Sequence, residues 1–244
     1  MRALQHENLL PFETITNGQF PANGAGETGT GQFGQTSQLD AGYLDENSTL
    51  VTLSTGGNDV RFADIISSCA GLISLDCSSN VLGGDQTGIY DATMNRLASE
   101  LPSSLAMVLG EIKDRAPNAT IVLVGYPRLF DIDTSCVMVG SINKDWLNEV
   151  ADELTRVMND AANAADSAGQ RVVFADPQPA FQGHTLCASV FEDWGINGLV
   201  LDFTPGDKPF DFDGSPVSQQ SVHPNDFGTT LYSEALEAAL TGVY

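Results

Sequence analysis

Three short apolar runs constrain this chain most: "TLVTLST" at 49–55, "ATIVLV" at 119–124 and "RVVFADP" at 171–177. Each is rich in β-branched residues and ends in glycine, proline or a turn. The long intervals between them carry apolar residues at helical spacing. In the first interval these are Phe62, Ile65 and Ile66, then Met94, Leu97 and Leu101, and beyond the interruption at Pro102, Leu105, Val108, Leu109 and Ile112. The second interval places Leu147, Val150, Ala151, Leu154, Val157, Met158 and Ala161 on one stripe over about 145–165. A last helix carries Phe227, Leu231, Ala235, Leu236 and Ala239. Strands joined by long helices are crossover units, so the sheet is parallel and the class is α/β. The unbroken apolar stretch at 121–124 suits a strand buried on both faces.

In such folds, sites form at the carboxyl ends of strands. The sequence puts Gly57-Asn58 and Tyr126-Pro127 there, with Asp59 as the expected N-cap of the following helix. His223 stands just before the last helix, in "SVHPNDFG".

A length of 244 residues supports one domain, 1–244, whose first 45 residues are irregular and rich in Gly, Thr and Gln apart from a short strand expected in "FETIT". Ten Lys and Arg against 32 Asp and Glu give a net charge of −22, which argues against a nucleic-acid partner and against anionic membranes. No run approaches transmembrane length. "MRALQHENLLPFETI" lacks the apolar core of a secretory signal. Four cysteines, Cys69, Cys77, Cys136 and Cys187, lack zinc-like spacing, and two disulfides are expected, with four free thiols as the alternative. Of three pairings, Cys69–Cys77 with Cys136–Cys187 closes one short loop and one long one. Disulfides imply an oxidising compartment. The expectation is a secreted or periplasmic protein whose targeting segment is absent from this chain.

"VTLSTGGNDVRFADII" resembles the Gly-x-Asn-Asp block of the SGNH (GDSL-like) hydrolases, and "SVHPNDFG" resembles their histidine block. "PAFQGHTLC" followed by "WGING" is similar to a segment of their secreted, disulfide-bearing esterases and lipases, and the four cysteines match two of that branch's disulfides in order. The resemblance implies a flavodoxin-like three-layer α/β/α sandwich with a central parallel sheet. It implies hydrolysis of a small-molecule or lipid carboxylic ester through a serine, with His223 as base, and Asn58 and Gly24 as oxyanion donors. A fixed carboxamide N–H can be worth roughly 3 kcal/mol in such a transition state. No cofactor is required.

Two departures from the family pattern stand out. Where the family has Asp three residues before the histidine, this chain has Gln220, so the Gln220 backbone carbonyl is expected to orient His223, with Asp213 or Asp226 as substitutes. No Gly-Asp-Ser occurs, nor Gly-x-Ser-x-Gly. Only Thr14 and Thr16 offer hydroxyls ahead of Gly24, and the first serine is Ser37. Ser141-Ile142-Asn143-Lys144 fits Ser-x-x-Lys but reads as a helix start. The nucleophile is therefore unknown, the first strand is expected to be missing or replaced, and a second polypeptide could supply both.

The rival reading is an inactive module that binds carbohydrate or calcium. "DFDGS" at 211–215 favours calcium, yet Pro209 and Gln220 occupy the first and twelfth positions of an EF-hand register, and neither suits it. The two tryptophans, Trp146 and Trp194, read as packing residues.

Overall fold

The computed structural model describes residues 39, 42–69, 76–136, 139–203, 210–212, 215–218, 220–241 and 243. The expected strand in "FETIT", Gly24, and Asp213 lie outside them.

Strand β1 (Leu50–Leu53) pairs in parallel with β2 (Thr120–Val124), and β2 pairs in parallel with β3 (Val172–Ala175), in the order β1-β2-β3. Leu50 stands opposite Thr120 and Ile121 opposite Val172. Helices α1 (Phe62–Cys69), α2 (Ile89–Ser99) and α3 (Leu101–Arg115) lie between β1 and β2, and α4 (Ser141–Ser167) lies between β2 and β3. A short antiparallel hairpin, β4 (Phe210–Phe212) with β5 (Ser215–Val217), precedes α5 (Asp226–Leu240). The hairpin occupies the acidic stretch that the sequence reads as loop.

Every residue of β2 is buried, because both faces of the strand are covered. Ile121 and Leu123 join a core with Leu97, Leu105, Leu109, Leu147 and Leu154 from α2, α3 and α4. Val122 and Val124, pointing the other way by the two-residue strand period, pack with Ala175 against Tyr232, Leu236 and Ala239 of α5. The arrangement is thus a three-layer α/β/α sandwich around a parallel sheet. Ile121, Val122 and Leu123 are fully shielded, and burial of each contributes roughly 1.5–3 kcal/mol.

Pro102 separates α2 from α3, as its position suggests. It sits in the first turn of α3, where the missing N–H costs no helical bond. Helix α4 begins at Ser141 with Gly140 as its N-cap, four residues ahead of the expected start. Lys144 is buried in it, and its Nζ donates to the Asp131 carbonyl at 2.6 Å and to the Thr134 carbonyl. That explains a lysine on an apolar stripe: it anchors the loop after β2. Disulfides join Cys69 to Cys77 and Cys136 to Cys187, the pairing with one short and one long loop. Among the described residues no helix is long and apolar enough to cross a membrane.

Candidate active site at the carboxyl edge of the sheet

The turn that follows β1 carries Gly57 and Asn58. Gly56 has φ +113, a conformation that side-chain-bearing residues rarely adopt, and Leu101 and Leu154 press against it. The chain then folds back on itself. Val60 N donates to Gly56 O at 3.3 Å, Arg61 N to Asn58 O at 2.9 Å, and Phe62 N to Gly57 O at 3.1 Å. Arg61 adopts φ 62 and immediately precedes α1, and Asp59 lies two residues earlier, inside the turn. Asn58 is half-buried within this turn.

Arg61 fixes the turn from outside. Its Nε donates to Asp64 at 2.7 Å, and its guanidinium also reaches the Gly83 carbonyl at 2.9 Å and Asp85 at 3.4 Å. Asp85 in turn pairs with Arg96 of α2. Sequence reading gave Arg61 no role. Its signal was its place, three residues after Asn58 in a chain with few cations.

Tyr126, two residues past β2, touches the same turn. Its hydroxyl stands 3.4 Å from Gly57 N and accepts from it, and its carbonyl accepts from Thr155 Oγ1 at 3.1 Å. Burial raises the phenol's pKa, an effect partly offset by hydrogen bonds from Ser54 and from Gly57 N–H. Tyr232 of α5 packs edge-on against Phe181 at 5.2 Å. Burial also raises its pKa, and the Tyr126 phenol adds to that shift. Tyr126 thus links the β1 turn to the chain beyond β2, and Tyr232 links α5 to Phe181.

The histidine loop is held by a different segment of the chain. A strap at 195–200 runs antiparallel to it, with a bridge between Ile196 and Pro224. Asn197 N donates to His223 O at 2.8 Å, Val222 N to Asn197 O at 3.0 Å, and Asn197 Nδ2 to Gln220 O at 3.1 Å. Asn225 caps α5 by accepting from Gly228 N at 2.9 Å, while its Nδ2 donates to Trp194 O at 2.6 Å. Leu236 and Ala239 of α5 pack on the β2–β3 face, and His223 stands three residues before the helix begins.

His223 Nδ1 lies 2.9 Å from the Ser221 carbonyl. The expected partner, the Gln220 carbonyl, instead accepts from Asn197 and from the His223 amide at 3.2 Å. The physical reason is Val222, whose φ of 56 turns the chain so that the nearer carbonyl faces the ring. A carbonyl cannot donate, so Nδ1 carries the proton of this contact, and in the neutral imidazole the lone pair is then on Nε2. His184 serves elsewhere: its Nδ1 meets Asp193 O at 2.9 Å and its ring stacks edge-on to Phe227. Lys144, occupied by two carbonyls, has no part in a Ser-x-x-Lys arrangement. Among the described residues no cluster of three metal-ligating side chains occurs.

The chain is 31% identical over 169 residues to "Lipase 1" of Streptomyces coelicolor, covering 69% of this chain and 56% of that protein. It is 30% identical over 148 residues to a lipase of Streptomyces rimosus, covering 59% and 49% respectively. It thus spans about half the length of each of these lipases. The crystal structure of phospholipase A1 from Streptomyces albidoflavus NA297 superposes with a TM-score of 0.62 at 25% identity, over 81% of this chain and 72% of that one. With the profile of the GDSL-like Lipase/Acylhydrolase family matching residues 2–231, nearly its full length, this chain belongs to that family.

Proposed function

We propose that this protein hydrolyses carboxylic esters by acyl transfer at the carboxyl edge of its sheet. The observation that carries the reading is the His223–Ser221 contact, since it fixes the one imidazole tautomer that can accept a proton at Nε2. In this mechanism Nε2 takes the proton of a serine hydroxyl, and the oxygen attacks the ester carbonyl. The Asn58 amide and the Gly24 N–H hold the resulting oxyanion. His223 then returns the proton to the departing alcohol, and a water activated in the same way releases the acid. The Ser221 carbonyl takes the orienting role that an acidic residue has in the family pattern. Lipase and phospholipase relatives support a lipid or small-molecule ester as substrate.

The nucleophile is a serine on a polypeptide segment outside these 244 residues, which also contributes a strand beside β1. Supporting this are the lack of a Gly-Asp-Ser triplet in the sequence and the place of β1 as the end strand among those described. The two disulfides support an oxidising, extracytosolic location.

The test is a fluorophosphonate probe, which forms a covalent adduct with activated serines, applied to protein purified from the complete gene. Intact-mass analysis and N-terminal sequencing then identify the labelled chain. The expected adduct lies on a co-purifying segment, with turnover of a short-chain chromogenic ester abolished in His223→Ala. An adduct within residues 1–244 would move the nucleophile into this chain. No adduct and no turnover would end the hydrolase reading.

A further inference from the structure

Exposed apolar side chains cluster around the histidine loop. Val190, Phe191, Leu199, Leu201, Phe203 and Phe227 are 48, 69, 38, 64, 48 and 39% exposed. Five lie on the segment 190–203, and Phe227 lies in the first turn of α5. The hydrogen bonds of Asn197 to the histidine loop, with Val200 N donating to Ser221 Oγ at 2.9 Å, place Leu199 and Leu201 beside it. Phe227 sits on His184, which holds the Asp193 carbonyl next to Phe191 and Trp194. The apolar rim is therefore continuous with the candidate site.

Charge selects what such a rim can meet. Residues 172–244 hold ten Asp and Glu and a single cation, Lys208. An anionic bilayer would repel this third of the molecule, and no cluster of Lys or Arg offsets that. A neutral surface carries no such penalty, and half-exposed Phe and Leu side chains gain by entering its apolar boundary. A concavity of about 510 Å³, lined by alanines of α2, α3 and α4, has none of these exposed apolar side chains. Its Arg156 is already paired with Glu153 and Asp160.

We propose that this rim docks the site onto an uncharged or zwitterionic lipid–water interface, delivering ester substrate from the lipid phase. The proposal deepens the ester-hydrolase reading and rests on it for its purpose. The experiment measures sedimentation of protein from the complete gene with phosphatidylcholine vesicles, and with vesicles containing phosphatidylglycerol, alongside turnover of a water-soluble short-chain ester. Phosphatidylcholine vesicles should bind it, and the anionic vesicles at low salt should bind it at least tenfold more weakly. F191S/L201S should lose at least tenfold in phosphatidylcholine binding and keep soluble-ester turnover, which also shows that it folds. Equal binding of variant and parent, or equal binding to anionic vesicles, overturns the docking surface. Failure to sediment, with light scattering showing dimers that F191S/L201S dissolves, assigns the rim to a second copy and also overturns it. Vesicle binding without any turnover, by contrast, sinks the hydrolase reading and leaves the docking surface intact.

Discussion

The Ser221 carbonyl stands 2.9 Å from His223 Nδ1, with Val222 between them at φ 56. A β-branched residue in that region is strained, and the structure around it must hold it there. Here the restraint is Asn197, whose amide donates to His223 O, whose carbonyl accepts from Val222 N and whose side chain donates to Gln220 O. Asn197→Asp keeps the size and removes the donation to Gln220. Losing a bond worth about 1 kcal/mol from a positioning residue should lower kcat roughly five- to tenfold while KM stays within about twofold. Turnover of a soluble ester measures both. An unchanged kcat would show that the loop needs no such restraint.

Tyr126 and Tyr232 give a prediction at alkaline pH. Both phenols have pKa values raised above 10 by burial, so between pH 10 and the folded-state value the folded protein binds more protons than the unfolded chain. Stability from this source is complete below pH 10 and falls as pH rises above it. Each group steepens the fall by at most about 1.4 kcal/mol per pH unit. Urea midpoints at pH 9, 10 and 11 should therefore drop in the parent and drop less in Tyr232→Phe. Parallel profiles for the two proteins would contradict this.

The layers of the fold were legible because burial writes itself into sequence. Positions 121–124 are apolar on both strand faces, and the α4 stripe repeats at helical spacing. Pro102 marks a break that the backbone obeys. Other features depend on contacts distant in sequence. Nothing near Gln220 announces that Asn197, 23 residues earlier, would claim its carbonyl and leave Ser221 to the ring. Likewise Tyr126 reads as a strand end, and its contact with Gly57 arises only when β1 and β2 pair. The hairpin β4–β5 was hidden because its alternating Phe and Asp resemble a solvated acidic loop. Lys144 was hidden by its charge, which two carbonyls satisfy.

Gly228 is the tightest point of α5. A Cβ built there would lie 1.9 Å from the Gly195 carbonyl oxygen and 3.1 Å from Pro224. Both neighbours are held by backbone bonds, Gly195 N to His184 O at 2.7 Å and Asn225 N to Gly195 O at 3.1 Å, so neither can give way cheaply. Gly228→Ala should therefore cost about 3 kcal/mol, the upper end for overpacked sites. Gly110→Ala, with nothing within 4 Å of its Cβ, should be neutral or stabilise its helix by up to about 1 kcal/mol. Urea denaturation of the pair separates crowding from helix propensity, and equal midpoints would disprove the close approach.

The disulfides should contribute unequally, in an order set by the loops they close. Cys136–Cys187 spans 51 residues of sequence and Cys69–Cys77 spans 8. Chain-entropy arguments give about 4 kcal/mol for the first and about 2.5 kcal/mol for the second. Structure adds to the difference. The longer link joins the loop anchored by Lys144 to the segment carrying His184, where Leu186 N donates to Leu129 O and Asp131 N to Leu186 O, both at 2.8 Å. Cys136→Ala/Cys187→Ala should lower the urea midpoint more than Cys69→Ala/Cys77→Ala. It should also raise hydrogen exchange at Asp131 and Leu186, because those two amides lie beside the severed link. The short-loop variant should leave them protected. If the two double variants shift equally, loop length does not govern this fold, and the local packing of Cys69 and Cys77 contributes as much as the closure of the long loop.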